Sequence, residues 1–482
     1  LANHLANQKH IHFIGVGGIG MSALAVILVK RGYSISGSDQ KSSNTLKRLA
    51  SHGITIFQQQ NASNIKAICQ KDHLPTLVVV STAVSKSNPE LQAAKEAKLK
   101  ICHRSDILAA LIQRQPSIAV AGSHGKTTTS TFITTLLAKS NQDPTAVIGG
   151  VIPCYKSNGH AGKGKMLVAE ADESDGSLIK FQANIGVITN LELDHIDHYP
   201  DLNALIKTMQ IFSKNCKRLL ANYDCPTLRK NINASTWWST QTAQGVDFAG
   251  LPIEINGNQT IADIYERGQH IGQIDLPIPG LHNLSNAISA IASCRMAGIP
   301  FHILQKNISH LKAPSRRFDF QGVWKGRQIV DDYAHHPSEV KATLKMARLM
   351  IDSKQSPLPK TPKRLVVIFQ PHRYSRTNQF LKDFAIALGH SDLVFIAPIY
   401  SAGEMPIKGA NHQALATSIK KSFPNMPVFV AENLEELTNF VKTHTIPDDL
   451  VLTLGAGDIN QLWENLRNHT TPNPWQASIL AA

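Results

Sequence analysis

A chain of 482 residues is too long for a single hydrophobic core and points to three domains of roughly 100–200 residues each. Its hydrophobic content of 42% is ordinary for a globular protein, and the longest apolar runs, near 23–29 and 77–80, are far too short to cross a bilayer. The formal charge of +14 is spread along the chain with no basic run carrying interleaved aromatics, which argues against nucleic acid and for polyphosphate ligands. Six scattered cysteines without a C-x-x-C pair read as free thiols of a reducing cytoplasm. The polar start, Leu1–His10, lacks the build of a signal peptide. A cytoplasmic protein without a membrane partner, monomeric or homodimeric, is expected.

Residues 9–115 alternate short apolar strands (His10–Ile14, Tyr33–Ser36, Thr76–Ser81) with helix-like stretches, the pattern of a doubly wound parallel sheet. The first strand enters Gly15-Val16-Gly17-Gly18-Ile19-Gly20, then a helical run over Met21–Val29, then a second strand ending near Asp39. That is G-x-G-x-x-G in a βαβ setting. Its glycines permit a tight turn and close approach of a diphosphate, and Asp39 is placed to accept from a ribose hydroxyl. Alone, the motif fits an NAD-dependent oxidoreductase, or a turn that merely packs helix on strand.

After a linker at Arg114-Gln115-Pro116, the strand Ile118–Val120 leads through Gly122-Ser123-His124-Gly125-Lys126-Thr127-Thr128 into a helix-compatible run, Ser130–Lys139. Strand, glycine turn, lysine, threonine and helix form a phosphate loop, where converging backbone N–H groups and a helix N-terminus favour an anion. Lys126 is expected to reach the β/γ-phosphates and the Thr127 hydroxyl to face Mg²⁺, although the glycine spacing is shorter than in the common pattern. Strand Met166–Ala169 then ends at Glu170-Ala171-Asp172-Glu173-Ser174-Asp175, and strand Gly186–Thr189 leads past Asn190 to Asp194-His195-Ile196-Asp197-His198. Carboxylates at the ends of neighbouring strands lie beside such a loop, where a hard cation bridges ligand oxygens. Glu170 and His195, with Thr127, are the expected ligands of Mg²⁺ or Mn²⁺; Asp175 and Asp197 read as solvated turn residues. No thiolate lies near His195, which argues against zinc. Residues 235–280 show β-like alternation, expected as an antiparallel edge.

A second linker at Lys312-Ala313-Pro314-Ser315 completes an expected division into 1–115, 116–314 and 315–482. The last part carries strands at Arg364–Phe369, Leu393–Ala397, Pro427–Val430 and Leu450–Leu454, and a tail, Thr470–Ala482, expected to fray. The expected fold class is α/β throughout: an N-terminal Rossmann-like domain, a central P-loop ATPase-like domain and a C-terminal Rossmann-like domain. Two nucleotide-type loops in one chain imply that ATP drives chemistry on a second ligand carrying its own diphosphate.

The chain resembles the muramyl ligase family. The resemblance rests on His12–Ser22, Ser36–Asp39, Gly122–Thr129, Glu170–Gly176, Thr189–Asp197, Pro279–Ala287, Arg316-Arg317-Phe318, Asp331–Pro337, Phe369–Thr377, Tyr400–Pro406 and Gly455–Ile459, in collinear order over nearly the whole length. Small departures stand at Asn158-Gly159-His160, where Asn-Ala is expected, and at Ser123. The resemblance implies a ligase that joins L-alanine to the lactyl carboxylate of UDP-N-acetylmuramate in peptidoglycan precursor synthesis. Carboxylate attack on the γ-phosphate of ATP gives an acyl phosphate, which the amine captures, leaving ADP and phosphate. In such enzymes the first domain holds the UDP end, the second holds ATP and metal, and the third closes over both.

Carried over by motif, Gly15, Gly17, Gly18, Gly20, Asp39 and Ser81 are implied contacts of the uridylated substrate, with His335, Arg373 and Arg376 at the substrate or its reacting end. Gly122, Ser123, His124, Gly125, Lys126, Thr127, Thr128 and Asn190 are implied to hold ATP, with His282, Asn283 and Asn286 at adenine and Asp331 or Asp332 at the ribose. Lys126, Glu170, His195, Arg316 and Arg317 carry the implied catalytic charge. Lys207 is the near candidate for a carbamylated lysine and is left unassigned. Alternatives are a recycling ligase that attaches a preformed peptide to UDP-N-acetylmuramate, an NAD-dependent oxidoreductase, and a nucleotide-gated binding protein.

Overall fold

The computed structural model describes residues 9–71 and 76–468. The expected frayed tail, Thr470–Ala482, falls outside the described residues. The first sheet has the order β3-β2-β1-β4-β5. Its strands are β1 (His10–Ile14), β2 (Ser34–Ser38), β3 (Thr55–Phe57), β4 (Thr76–Val80) and β5 (Lys100–His103), all paired in parallel. Helices α1 (Ile19–Lys30), α2 (Asn44–Ser51), α3 (Ala62–Lys71) and α4 (Pro89–Glu96) make the crossovers, and α5 (Arg104–Arg114) follows β5. Parallel strands need such crossovers, and the helices they bring bury both faces of the sheet. Every residue of β1 is accordingly buried.

The central sheet has the order β15-β14-β13-β12-β11-β10-β6-β9-β7-β8. Its first half comprises β6 (Ser117–Ala121), α6 (Lys126–Lys139), β7 (Thr145–Ile152), β8 (Ser157–His160), β9 (Leu167–Glu170), β10 (Ile185–Ile188) and α7 (Leu202–Asn215). Then come β11 (Arg218–Asn222), α8 (Pro226–Asn231), β12 (Thr236–Ser239), β13 (Phe248–Ile255), β14 (Thr260–Glu266), β15 (Gln269–Leu276), α9 (Leu281–Met296) and α10 (Phe301–Asn307). Strands β10, β6, β9 and β7 pair in parallel, so the loops that leave β6, β9 and β10 emerge at one edge. The two-residue link Arg267–Gly268 joins β14 to β15 as a hairpin, so the expected antiparallel edge is confined to the end of that stretch; at its start β12 pairs in parallel with both β11 and β13.

The antiparallel hairpin of β7 and β8 packs on α1. Between that hairpin and its own sheet the middle of α1 is enclosed, so Met21–Leu28 are all buried and, apart from Ser22, apolar. Here the departure at Gly159 finds its reason. A Cβ at Gly159 would stand 2.6 Å from the Ala23 Cα, closer than carbon atoms approach. Asn158, next to it, donates its amide to the Ile19 carbonyl and accepts from Arg48 Nη2 at 3.0 Å. The first two sheets share one apolar core and one compact unit.

A second unit comprises the chain from Ser315 together with 254–260 and 278–280. Its sheet has the order β16-β17-β21-β18-β19-β20. The elements are β16 (Asp319–Trp324), β17 (Arg327–Asp332), α11 (Pro337–Asp352), β18 (Arg364–Phe369), α12 (Tyr374–Gln379) and α13 (Leu381–Leu388). They continue with β19 (Leu393–Ile396), α14 (His412–Ser422), β20 (Val428–Val430), α15 (Leu434–His444), β21 (Asp449–Leu454) and α16 (Gln461–Asn468). Only the β16–β17 edge is antiparallel. Three α/β domains result. No helix among the described residues is long and apolar enough to cross a membrane.

Candidate active site

The Gly122–Thr128 loop joins β6 to α6, and the helix begins at Lys126, four residues earlier than the apolar pattern predicts. Gly125 explains this: it adopts φ +81 immediately before the helix, a conformation glycine reaches at little cost. A Cβ there would also stand 2.6 Å from Asn286 Oδ1 of α9, and one on Gly122 would stand 2.2 Å from Thr189 Oγ1. The loop is held by side chains from the β10 end. Asn190 accepts from the His124 N–H at 2.9 Å and donates to the His124 carbonyl at 3.0 Å. Ser123 Oγ donates to the Glu192 carbonyl at 2.8 Å and accepts from its N–H at 2.9 Å. Thr128 is buried in the first turn of α6. Asn286 accepts from Thr129 Oγ1 at 3.2 Å, while Asn283 is buried and His282 half-buried at the start of the same helix.

Lys126 Nζ donates to Glu173 Oε1 at 2.8 Å and to the carbonyls of Gly122 and Ser123 at 2.7 and 3.1 Å. Burial would lower its pKa, but the charges of Glu173, Asp172 and Glu170 outweigh burial and raise it, so the ammonium stays charged. Glu170, at the end of β9, accepts from Thr127 Oγ1 at 3.0 Å and from the Gly149 N–H at 2.7 Å. Burial raises its pKa. His195 sits in left-handed backbone, φ 53, with Nε2 3.5 Å from Glu173 Oε1 and 3.8 Å from Asp194 Oδ2. Burial opposes protonation there, yet Glu173 and Asp194 raise its pKa. Asp172 is held low: burial would raise it, and Lys126 and the Ser174 donors outweigh that.

The expected metal set therefore divides. Thr127 meets Glu170, whereas His195 gathers with Asp172 and Glu173, whose ligand atoms lie within 4.8 Å of one another. Hydroxyl, carboxylate and imidazole form a hard, oxygen-rich donor set that fits Mg²⁺ or Mn²⁺. Glu173 Oε2, buried without a hydrogen-bond partner among the described residues, is a further donor suited to a cation. Asp172 and Glu173 are the residues that sequence inspection passed over, although their signal, the acidic run after β9, was in view. Lys207 is exposed on α7.

In the first domain, Gly15 has φ +81, and Gly18 opens α1 with no side-chain cap, leaving the helix N-terminus open to an anion. Gly17 donates its N–H to Asp39 Oδ2 at 2.9 Å, and Lys41 donates to Oδ1 at 3.2 Å, so Asp39 shapes the loop. Gly20 lies in the first turn of α1, and Ser81 just beyond β4. In the third domain, Arg316 is turned onto its own fold. Its Nε donates to Asp331 at 2.8 Å and its Nη2 to the Gly455 carbonyl at 2.9 Å, while Asp331 also accepts from Thr453 at 2.8 Å. Asp332 accepts from the N–H groups of Phe318 and Ala334. The rings of Tyr333, His335, His372 and Tyr400 form a chain with centroids 5.4 to 5.7 Å apart, flanked by Arg317 over Tyr333 and Arg376 Nη1 3.1 Å from His372 Nδ1. Arg373, at φ 72, pairs with Glu404 at 3.3 Å.

A phosphate loop, a carboxylate–lysine cluster and a separate glycine loop on three α/β domains define a nucleotide-dependent ligase architecture. Family models agree: Mur ligase family, catalytic domain matches residues 10–116, Mur ligase middle domain 120–294, and Mur ligase, glutamate ligase domain 316–457. The chain belongs to the Mur ligase family. It is 64% identical over 466 residues to a UDP-N-acetylmuramate–L-alanine ligase of Prochlorococcus marinus (strain MIT 9303), covering 97% of this chain and 96% of that protein. A UDP-N-acetylmuramate–L-alanine ligase of Synechococcus sp. (strain CC9311) is 58% identical over 97% of this chain and 96% of its own. Among solved structures, UDP-N-acetylmuramate–alanine ligase from Thermotoga maritima is similar with a TM-score of 0.79 at 25% identity, covering 97% of this chain and 99% of that one.

Proposed function

We propose that this chain is an ATP-dependent ligase that joins L-alanine to the lactyl carboxylate of UDP-N-acetylmuramate, releasing ADP and phosphate, in peptidoglycan precursor synthesis. The observation that carries this is the buried Lys126–Glu173 pair beside Asp172 and His195 at the open start of α6. Identity of 64% over 97% of this chain to a relative so named supports the choice of substrates. The same likeness disfavours the peptide-recycling and oxidoreductase alternatives.

The physical obstacle is the meeting of two anions, the substrate carboxylate and the γ-phosphate, so fixed positive charge at the phosphate dominates catalysis. Lys126 exchanges its loop-carbonyl partners for phosphate oxygens, and the N–H groups of the loop and of the first turn of α6 hold the remaining oxygens. Thr127 with Glu170, or Asp172 and Glu173 with His195, would hold the divalent cation. Such a cation would supply positive charge at the phosphate oxygens. The carboxylate oxygen forms a bond to phosphorus as ADP leaves, and the alanine nitrogen then attacks the carbonyl carbon as phosphate leaves. Gly15–Gly20, Asp39 and Ser81 take the uridylated end; His282, Asn283, Asn286 and one of Asp331 and Asp332 take the adenosine. The family resemblance assigns Arg317, His335, Arg373 and Arg376 to the reacting end, with Arg316 bracing their own domain. Both nucleotides are cytoplasmic metabolites, which is where the reaction is placed.

The test is ADP release with UDP-N-acetylmuramate and each common amino acid, with product masses. A product heavier by one alanyl residue is expected. Turnover with a preformed peptide but not with L-alanine would overturn the reading in favour of the recycling ligase.

A further inference from the structure

The glycine loop expected to take the substrate diphosphate contains no cation of its own between Gly15 and Ser22. Backbone N–H groups and a helix dipole can hold a diphosphate, and a guanidinium fork beside them adds charge-assisted bonds that match its oxygens. Arg104 lies beside this loop. A Cβ built on Gly20 would stand 3.1 Å from Arg104 Nη1 and 3.9 Å from its Cδ, so the guanidinium covers the last glycine of the loop.

The root of this side chain is fixed. Arg104 is the first residue of α5, and the preceding His103 forms a capping box with Asp106. Lys180 clamps Asp106 at 2.7 Å and Ser105 Oγ at 3.1 Å. The guanidinium itself is left in reserve. Its Nη2 lies 3.7 Å from both Asp172 Oδ2 and Asp175 Oδ2, beyond hydrogen-bond reach, although the side chain is only 24% exposed. Asp175 Oδ2 and the nearby His103 Nε2 are likewise buried without a hydrogen-bond partner among the described residues. At 3.7 Å the guanidinium is attracted by both carboxylates but fixed by neither through a hydrogen bond. These groups hold a cation loosely beside the glycine loop.

We infer that Arg104 binds the diphosphate of the uridylated substrate directly, held ready by Asp172 and Asp175 until the ligand arrives. The inference rests on the proposed function and is tested separately from it. Calorimetry on the full chain would use UDP, UDP-N-acetylmuramate and magnesium-ATP as probes. Arg104→Ala is expected to weaken UDP and UDP-N-acetylmuramate about 10–100-fold, the scale of a charge-assisted hydrogen-bonded contact, and to leave ATP within about twofold. Arg104→Lys, which keeps charge but loses the fork, is expected to fall between and covers the case in which the alanine variant does not fold. Asp175→Asn, which loosens the hold on Arg104, is expected to keep or improve UDP affinity.

UDP affinity unchanged in Arg104→Ala, equal losses for UDP and ATP, or equal losses in Asp175→Asn and Arg104→Ala would each overturn the assignment. Wild-type protein that binds UDP-N-acetylmuramate while Arg104→Ala binds it equally refutes only the role of Arg104. Wild-type protein that binds neither UDP nor the nucleotide sugar refutes the ligase reading as well.

Discussion

Glu90 and Glu173 are both almost fully buried, with side chains 0% and 1% exposed, yet their surroundings follow opposite rules. Glu90 is saturated: His12 Nε2 and Asn64 Nδ2 meet Oε1 at 2.9 and 2.8 Å, and Ser38 Oγ donates to Oε2. The chain of contacts continues from His12 Nδ1 to Ser36 Oγ at 2.7 Å and on to His10 Nε2 at 3.0 Å. Glu173 shares one oxygen between Lys126 and His195, and its other oxygen has no hydrogen-bond partner among the described residues. A buried network with every group satisfied rigidifies a fold, whereas one with a carboxylate oxygen to spare is poised for a ligand. Burial of an acid therefore does not mark a site; incomplete satisfaction does.

The largest expected effect tests the unsaturated cluster. Lys126→Ala should lower kcat by about three orders of magnitude or more while UDP-N-acetylmuramate binds within about twofold of wild type, read by phosphate release and calorimetry. Loss of both without unfolding would erase the division of labour between the two glycine loops. Next, Glu90→Ala strands His12, Asn64 and Ser38, and should lower the unfolding free energy by about 3–5 kcal/mol in urea titrations. The protein that remains folded should keep kcat close to wild type; a selective loss of kcat would place Glu90 in the chemistry.

Asp332 sharpens the contrast from between the two extremes. Burial pushes its carboxyl up to about 6 from 3.8, against Arg317 and the N–H groups of Ala334 and Phe318 that favour the anion. The folded state thus keeps a proton that the unfolded chain releases near pH 4. Its contribution is full below that pH and is lost as pH rises to about 6, a change of up to about 3 kcal/mol. Urea midpoints between pH 4 and 7 should fall accordingly, and Asp332→Asn should flatten the trend; parallel curves for the two proteins would refute it. The smallest effect belongs to Ser36→Ala, which removes one neutral link of the saturated chain and should cost about 1–2 kcal/mol by the same titration. A cost as large as that of Glu90→Ala would show that the network fails as a unit.

Much of this was legible before any coordinates. Both glycine loops declare themselves through glycines followed by an apolar helical run, and β1, β18 and the order of the domains follow from local hydrophobic patterning. The hairpin of β7 and β8 was not legible, because Gly149-Gly150 and Asn158-Gly159 lack a strand-like alternation and owe their place to α1 and Glu170. Nor was Arg104, an unremarkable arginine at the start of a helix until Gly20 and Asp172 are seen beside it.

Local chemistry in the sequence determined which residue types meet phosphate and where strands and helices alternate, since turns and periodicity involve neighbours along the chain. Only the tertiary structure decided which acid is saturated and which is left with an oxygen to spare. That choice depends on donors arriving from distant segments, such as Asn64 and His12 at Glu90 or Lys126 at Glu173, and no spacing within one segment encodes it.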